Sequence, residues 1–197
     1  MAPVLIDTLL LLALPASGKS EIRRYLESLP AEVLATDLHL GPTIQLDDYP
    51  YVHLMRRISQ ELRALEAPPI FFVSDELPMA EPRDWGVLQI LLNEDYATIG
   101  VGLGEEPASA SEWLFERIDR ARVAVGAPPA MSALAPEVRA NVAAELDDEV
   151  RPLWHHLAAL ETADTAGATV VIEFARGGPE GTTPPIAPPF GLSLIHI

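Results

Sequence analysis

The uninterrupted apolar run from Thr8 to Leu14 overlaps a short loop made of Ala13, Leu14, Pro15, Ala16, Ser17, Gly18, Lys19 and Ser20, and an amphipathic pattern follows directly. A run with no polar face is what a strand covered on both sides in a parallel sheet looks like. Pro15 and Gly18 end it. From Lys19 to about Leu29 the spacing Ile22, Leu26, Leu29 predicts one apolar helical face, with Arg and Glu on the other, and Pro30 stops the helix. The chain therefore opens as strand, loop, helix.

That order has a chemical use. A triphosphate needs several backbone N–H donors converging on it, a helix N-terminus behind them, and a side-chain cation reaching the outer phosphates. The loop supplies each: Gly18 permits close backbone approach, Lys19 is placed for the β- and γ-phosphates, and the Ser20 hydroxyl is placed for Mg2+. Twelve of the thirteen basic residues are Arg, and the one Lys of the chain is Lys19. A compact, flexible cation stands where the planar Arg fork would not substitute. The pattern G-x-x-x-x-G-K-[ST] is departed from at its first position, where Ala13 replaces Gly and must keep φ negative.

With Leu12-Ala-Leu-Pro-Ala-Ser-Gly-Lys-Ser20 in view, the chain resembles the small-molecule and nucleotide kinases of the P-loop class, many of which carry Gly-Leu-Pro before the Gly-Lys-Ser. The specific likeness covers about ten residues. It implies an α/β fold of the P-loop NTPase type, ATP and Mg2+ as ligands, and transfer of a phosphoryl group to a small-molecule acceptor whose identity the sequence leaves open.

Further along, Thr43 to Leu46 is expected as a second strand, ended by Asp47 and Asp48, with Pro50 forbidding its continuation. A helix is expected from about Val52 to Leu65, and Ile70 to Val73 is a third candidate strand. Helices follow at about Arg83 to Tyr96, Ser109 to Val125 and Pro136 to Leu160, and Thr169 to Ile172 is a strand of β-branched residues ended by Glu173. Strands alternating with helices predict a parallel sheet with helices on both faces and a helical insertion before the last strand, closing as a cap over one edge.

In open α/β sheets ligands bind beyond the carboxyl ends of the strands. Three positions qualify. Glu173 ends its strand in the manner of a Walker B carboxylate, which would hold Mg2+ or orient a water; the alternative is a cap on a surface turn. Asp47 and Asp48 stand where kinases of this class place the acceptor of the substrate hydroxyl's proton; Asp-Asp-Tyr-Pro is equally good turn composition. Arg176, followed by Gly177 and Gly178, could clamp a phosphate, as could Arg56 and Arg57, unless the many carboxylates pair with them. Glu145 to Glu149 reads as a solvated helix face, and His155 and His156 lack the spacing of a helical metal pair.

Composition narrows the remaining classes. With no cysteine, disulfide frameworks, thiolate metal sites and cysteine nucleophiles are excluded, and a reducing cytoplasm fits. A formal charge of −16 without clustered Lys or Arg argues against nucleic acid and anionic membrane as partners. No stretch reaches the ~18 apolar residues of a membrane helix. The last six residues, Leu192-Ser-Leu-Ile-His-Ile197, resemble the translated mosaic end of a transposon-based sequencing adapter. Residues 1–191 are accordingly expected to form one nucleotide-binding domain, incomplete at its C-terminus, with 192–197 as a non-native tail. A second functional class stays open: an ATP-hydrolysing or nucleotide-binding regulatory protein whose acidic helical insertion docks a partner.

Overall fold

The computed structural model describes residues 4–13, 18–163 and 165–175. Three parallel strands, β1 (Thr8–Ala13), β2 (Thr43–Asp47) and β3 (Thr169–Ala175), form one sheet in the order β1-β3-β2. After β1 come α1 (Lys19–Ser28) and α2 (Ala31–Asp37), which return the chain to β2 and leave one strand space between. Four helices then intervene: α3 (Tyr49–Ala64), α4 (Asp84–Thr98), α5 (Ala110–Ala124) and α6 (Pro136–Ala159). Only after them does the chain fill the central space with β3.

Both faces of the sheet are covered, which is why β1 reads as apolar without alternation, whereas β2 alternates over Thr43, Ile44, Gln45, Leu46 and Asp47. Leu10, Ile44, Leu46, Val170, Ile172 and Phe174 face the large core built by α3 to α6. Leu9 faces a second, smaller core of Leu26, Leu34 and Leu40 beneath α1 and α2. On α3 the spacing Met55, Ile58, Leu62 puts three fully buried side chains on one stripe. Burial of each contributes about 1.5–3 kcal/mol. Pro50 lies in the first turn of α3, where its missing N–H costs nothing, so the helix starts at Tyr49, ahead of the expected Val52. Ser109 caps α5 by accepting a hydrogen bond from the Glu112 amide, 3.2 Å.

Two sequence expectations change. Ile70 to Val73 is not a sheet strand: Phe72 makes an isolated antiparallel bridge to Met79 and nothing longer. The amides of Phe71 and Phe72 donate instead to Ser59 Oγ on α3, at 3.1 and 3.0 Å, and Arg63 Nη1 donates to the carbonyl of Phe72 at 3.0 Å. With those groups engaged, little of the segment's backbone is left for a ladder. The second change concerns β3, which continues past Glu173 through Phe174 to Ala175, so Glu173 sits inside the strand and not at its end.

Candidate functional site

The carboxyl ends of the three strands define one edge. At β1 it is followed by the expected phosphate loop, of which Leu14, Pro15, Ala16 and Ser17 lie outside the described residues, as do the side chains of Ala13, Lys19 and Ser20, and Arg176 after β3. Gly18, the N-cap of α1, has φ +90°, and a Cβ there would meet nothing within 4 Å. Glycine is therefore required at this position by backbone conformation and not by crowding. Its carbonyl accepts from the amides of Glu21 and Ile22, both at 3.1 Å, which launches the ten-residue α1 at the strand ends. A helix start presents N–H groups with no intrahelical acceptor, the local chemistry an anion needs.

Asp47 and Glu173 are partners in the β2–β3 register, so their side chains leave the same face of the sheet, the one that α1 covers. Arg23, one turn after Lys19, reaches both: its Nη1 donates to Asp47 Oδ2 at 3.3 Å and stands 3.8 Å from Glu173 Oε2. The sequence reading passed over Arg23, although its i+4 spacing from Lys19 puts it on the same stripe of the helix. Asp47 uses its other oxygen, Oδ1, to accept from the Tyr49 amide at 2.8 Å and so caps the start of α3. Asp48 is 2 % exposed; its amide donates to the Glu173 carbonyl at 3.3 Å and its carbonyl accepts from Val52 at 3.1 Å. The two adjacent aspartates thus differ: Asp47 is spent on helix capping and Arg23, whereas Asp48 is the buried one.

Under α1 the polar groups are not all satisfied. Among the described residues, Arg23 Nε and Gln45 Oε1 are buried without a hydrogen-bond partner, Arg23 Nε lying 4.0 Å from Glu27 Oε1. Gln45 precedes Asp47 by two residues on β2 and shares its face. Among the described residues no group of three or more His, Asp or Glu could hold a metal ion.

Behind the site lies a buried network that the sequence did not reveal. Tyr51 donates to Asp95 Oδ2 at 2.5 Å, and Arg117 donates to Tyr51 Oη at 2.9 Å, to Asp95 Oδ1 at 2.7 Å and to Glu94 Oε2 at 2.8 Å. Burial, reinforced by the Asp95 charge, holds the Tyr51 hydroxyl well above its ordinary value. Burial also raises Asp95, with Arg117 opposing it. The network anchors the first turns of α3, the element that follows Asp48.

The remaining candidates that are described make contacts within the fold. Arg56 lies over the Phe72 ring at 4.3 Å and donates to the Asp75 carbonyl; Arg57 donates to Glu149 at 3.0 Å and to Glu61 at 2.7 Å. The 145–149 face of α6 is also more engaged than expected: Glu149 binds His53 and Arg57, and Asp147 accepts from Ser109 Oγ at 2.7 Å. His155 and His156 are exposed. No described helix is long and apolar enough to cross a membrane. Comparison with protein-family models, curated proteins and solved structures gives no match.

Proposed function

We propose that the chain binds ATP with Mg2+ and transfers the γ-phosphoryl group to a small-molecule or nucleotide acceptor. The observation that carries this reading is the meeting, at one edge of a parallel sheet, of the glycine-initiated helix that bears the chain's only lysine with the acids Asp47, Asp48 and Glu173. Ligands bind at that edge in open α/β sheets.

In this reading the loop from Ala13 to Ser20 holds the triphosphate through backbone N–H groups, and Lys19 neutralises the outer phosphates. Ser20, with Glu173 through water, would hold Mg2+, whose charge offsets that of the β- and γ-phosphates. Asp48, buried beside the strand ends, accepts the proton of the acceptor hydroxyl as its oxygen bonds to the γ-phosphorus. The bond from that phosphorus to the β–γ bridging oxygen breaks, and ADP leaves. Asp47 orients the chain around Asp48 through its contacts with Arg23 and the Tyr49 amide.

Calorimetric titration of Mg·ATP into the wild-type chain and into Lys19→Ala tests the first half. Saturable binding that the variant loses supports it; binding retained in the variant sinks it. Acceptor-dependent formation of ADP across a metabolite panel tests the second half, and ADP released at the same rate with every acceptor or none would favour a hydrolase.

A further inference from the structure

Among the described side chains of α1, from Glu21 to Ser28, Arg23 is the one whose hydrogen bonds or ion pairs reach outside that helix; Arg24 pairs with Glu21, and Ser28 bonds the Tyr25 carbonyl. From Arg23 the contacts run one way. Nη1 donates to Asp47 Oδ2 at 3.3 Å, and Asp47 Oδ1 accepts from the amide of Tyr49, the first residue of α3, at 2.8 Å. Asp48 lies between those two residues, and its amide is tied to the Glu173 carbonyl, on the strand whose carboxylate stands 3.8 Å from the same guanidinium. One side chain therefore joins the phosphate-loop helix to the turn that carries Asp48.

We propose that Arg23 is a positioning residue that couples nucleotide occupancy at the start of α1 to the order of the first turn of α3, and so to the placement of Asp48. The proposal rests on the nucleotide-binding reading above. A bound triphosphate fixes the start of α1 and with it the root of the Arg23 side chain. Arg23 then holds Asp47 in the rotamer that caps Tyr49. Helix starts open locally more readily than helix centres, so a better-held cap acts first on those amides. Because the open form is a minor population, suppressing it slows exchange while leaving nucleotide affinity almost unchanged.

Hydrogen exchange at the Tyr49 and Val52 amides, measured with and without saturating Mg·ATP, reads the coupling. In the wild-type chain Mg·ATP slows exchange by roughly 5-fold or more, the low end of ordinary coupling between sites. Arg23→Gln binds Mg·ATP with wild-type affinity and loses that slowing, and Arg23→Lys restores part of it. Should Arg23→Gln fail to fold, Asp47→Asn, which keeps a capping oxygen and removes the charge, carries the same expectation. Slowing retained in Arg23→Gln overturns the proposal, as does wild-type binding without slowing. Loss of nucleotide affinity in Arg23→Gln also overturns it, because Arg23 would then belong to the binding site itself. No binding of Mg·ATP by the wild-type chain, or binding that survives Lys19→Ala, overturns the underlying reading and is recognised by calorimetry before any exchange is measured.

Discussion

A methyl group placed on Gly41 would lie 1.7 Å from the carbonyl oxygen of Gly167 and 2.8 Å from its carbonyl carbon. Both neighbours are backbone and cannot swing aside. The approach is close because two hydrogen bonds draw the segments together: the Gly41 amide donates to Thr169 Oγ1 at 2.9 Å, and the Thr169 amide donates to the Pro42 carbonyl at 2.9 Å. Gly41→Ala is expected to lower stability by about 1–3 kcal/mol, the usual penalty of overpacking. A urea midpoint equal to that of the parent would mean that the entries to β2 and β3 do not meet in solution.

The network around Arg117 makes a second expectation. Tyr51→Phe removes a hydroxyl that donates to Asp95 and accepts from Arg117, both nearly wholly buried. The charged pair survives, with Arg117 still donating to Asp95 Oδ1 at 2.7 Å, so the variant should fold. Its loss is expected at about 1–3 kcal/mol, the penalty for polar groups left unsatisfied in the interior. Chemical unfolding of the two proteins side by side measures it, and a difference near zero would show that water replaces the hydroxyl.

Asp84 and Arg122 give a pH dependence with a defined sign. Burial, the leading cause, raises the Asp84 carboxyl from its ordinary 3.8 to about 6, despite Arg122 Nη1 at 2.6 and 2.7 Å from its two oxygens. Between those values the folded protein holds a proton that the unfolded chain has released, so this group's contribution is full below about pH 4 and is lost as pH rises through about 6. Arg122→Met leaves the carboxylate buried without its cation, a loss of about 3–5 kcal/mol at neutral pH. That deficit should shrink on acidification toward pH 5, as the folded variant takes up a proton. Unfolding of both proteins at the two pH values decides it, and a deficit that does not change with pH would show that the carboxyl is already neutral.

The parts of this fold that were legible in the sequence are those whose signal is local. The apolar run of β1, the Pro30 stop, the β2 strand up to its acids and the periodic helices each carry their pattern within a few residues. Position in the sheet is not local: β3 is last in sequence among the described strands and central in space, and nothing in Thr169 to Ala175 says that two earlier strands flank it. The site divides in the same way. Asp47 and Asp48 stand at the end of β2, and Glu173 lies near the end of β3, so each could be nominated from its own segment. The tie between α1 and the end of β2 depends on Arg23, whose hydrogen bond to Asp47 spans 24 residues.

Ser59 accounts for the one predicted strand that is absent. Ile70 to Val73 has strand composition, yet its amides at Phe71 and Phe72 find their acceptor in a serine hydroxyl of α3, which itself donates to the Met55 carbonyl at 3.0 Å. Ser59 is fully buried, so water has no ready access to replace it. Ser59→Ala leaves two interior N–H groups without an acceptor, at about 1–3 kcal/mol for each. The loss should be local as well as global: hydrogen exchange at Phe71 and Phe72 should accelerate more than at Val87 or Leu91, which lie in the same core on α4. Equal acceleration at all four sites would mean that Ser59 only fills space, and that something other than its hydroxyl keeps this segment out of the sheet.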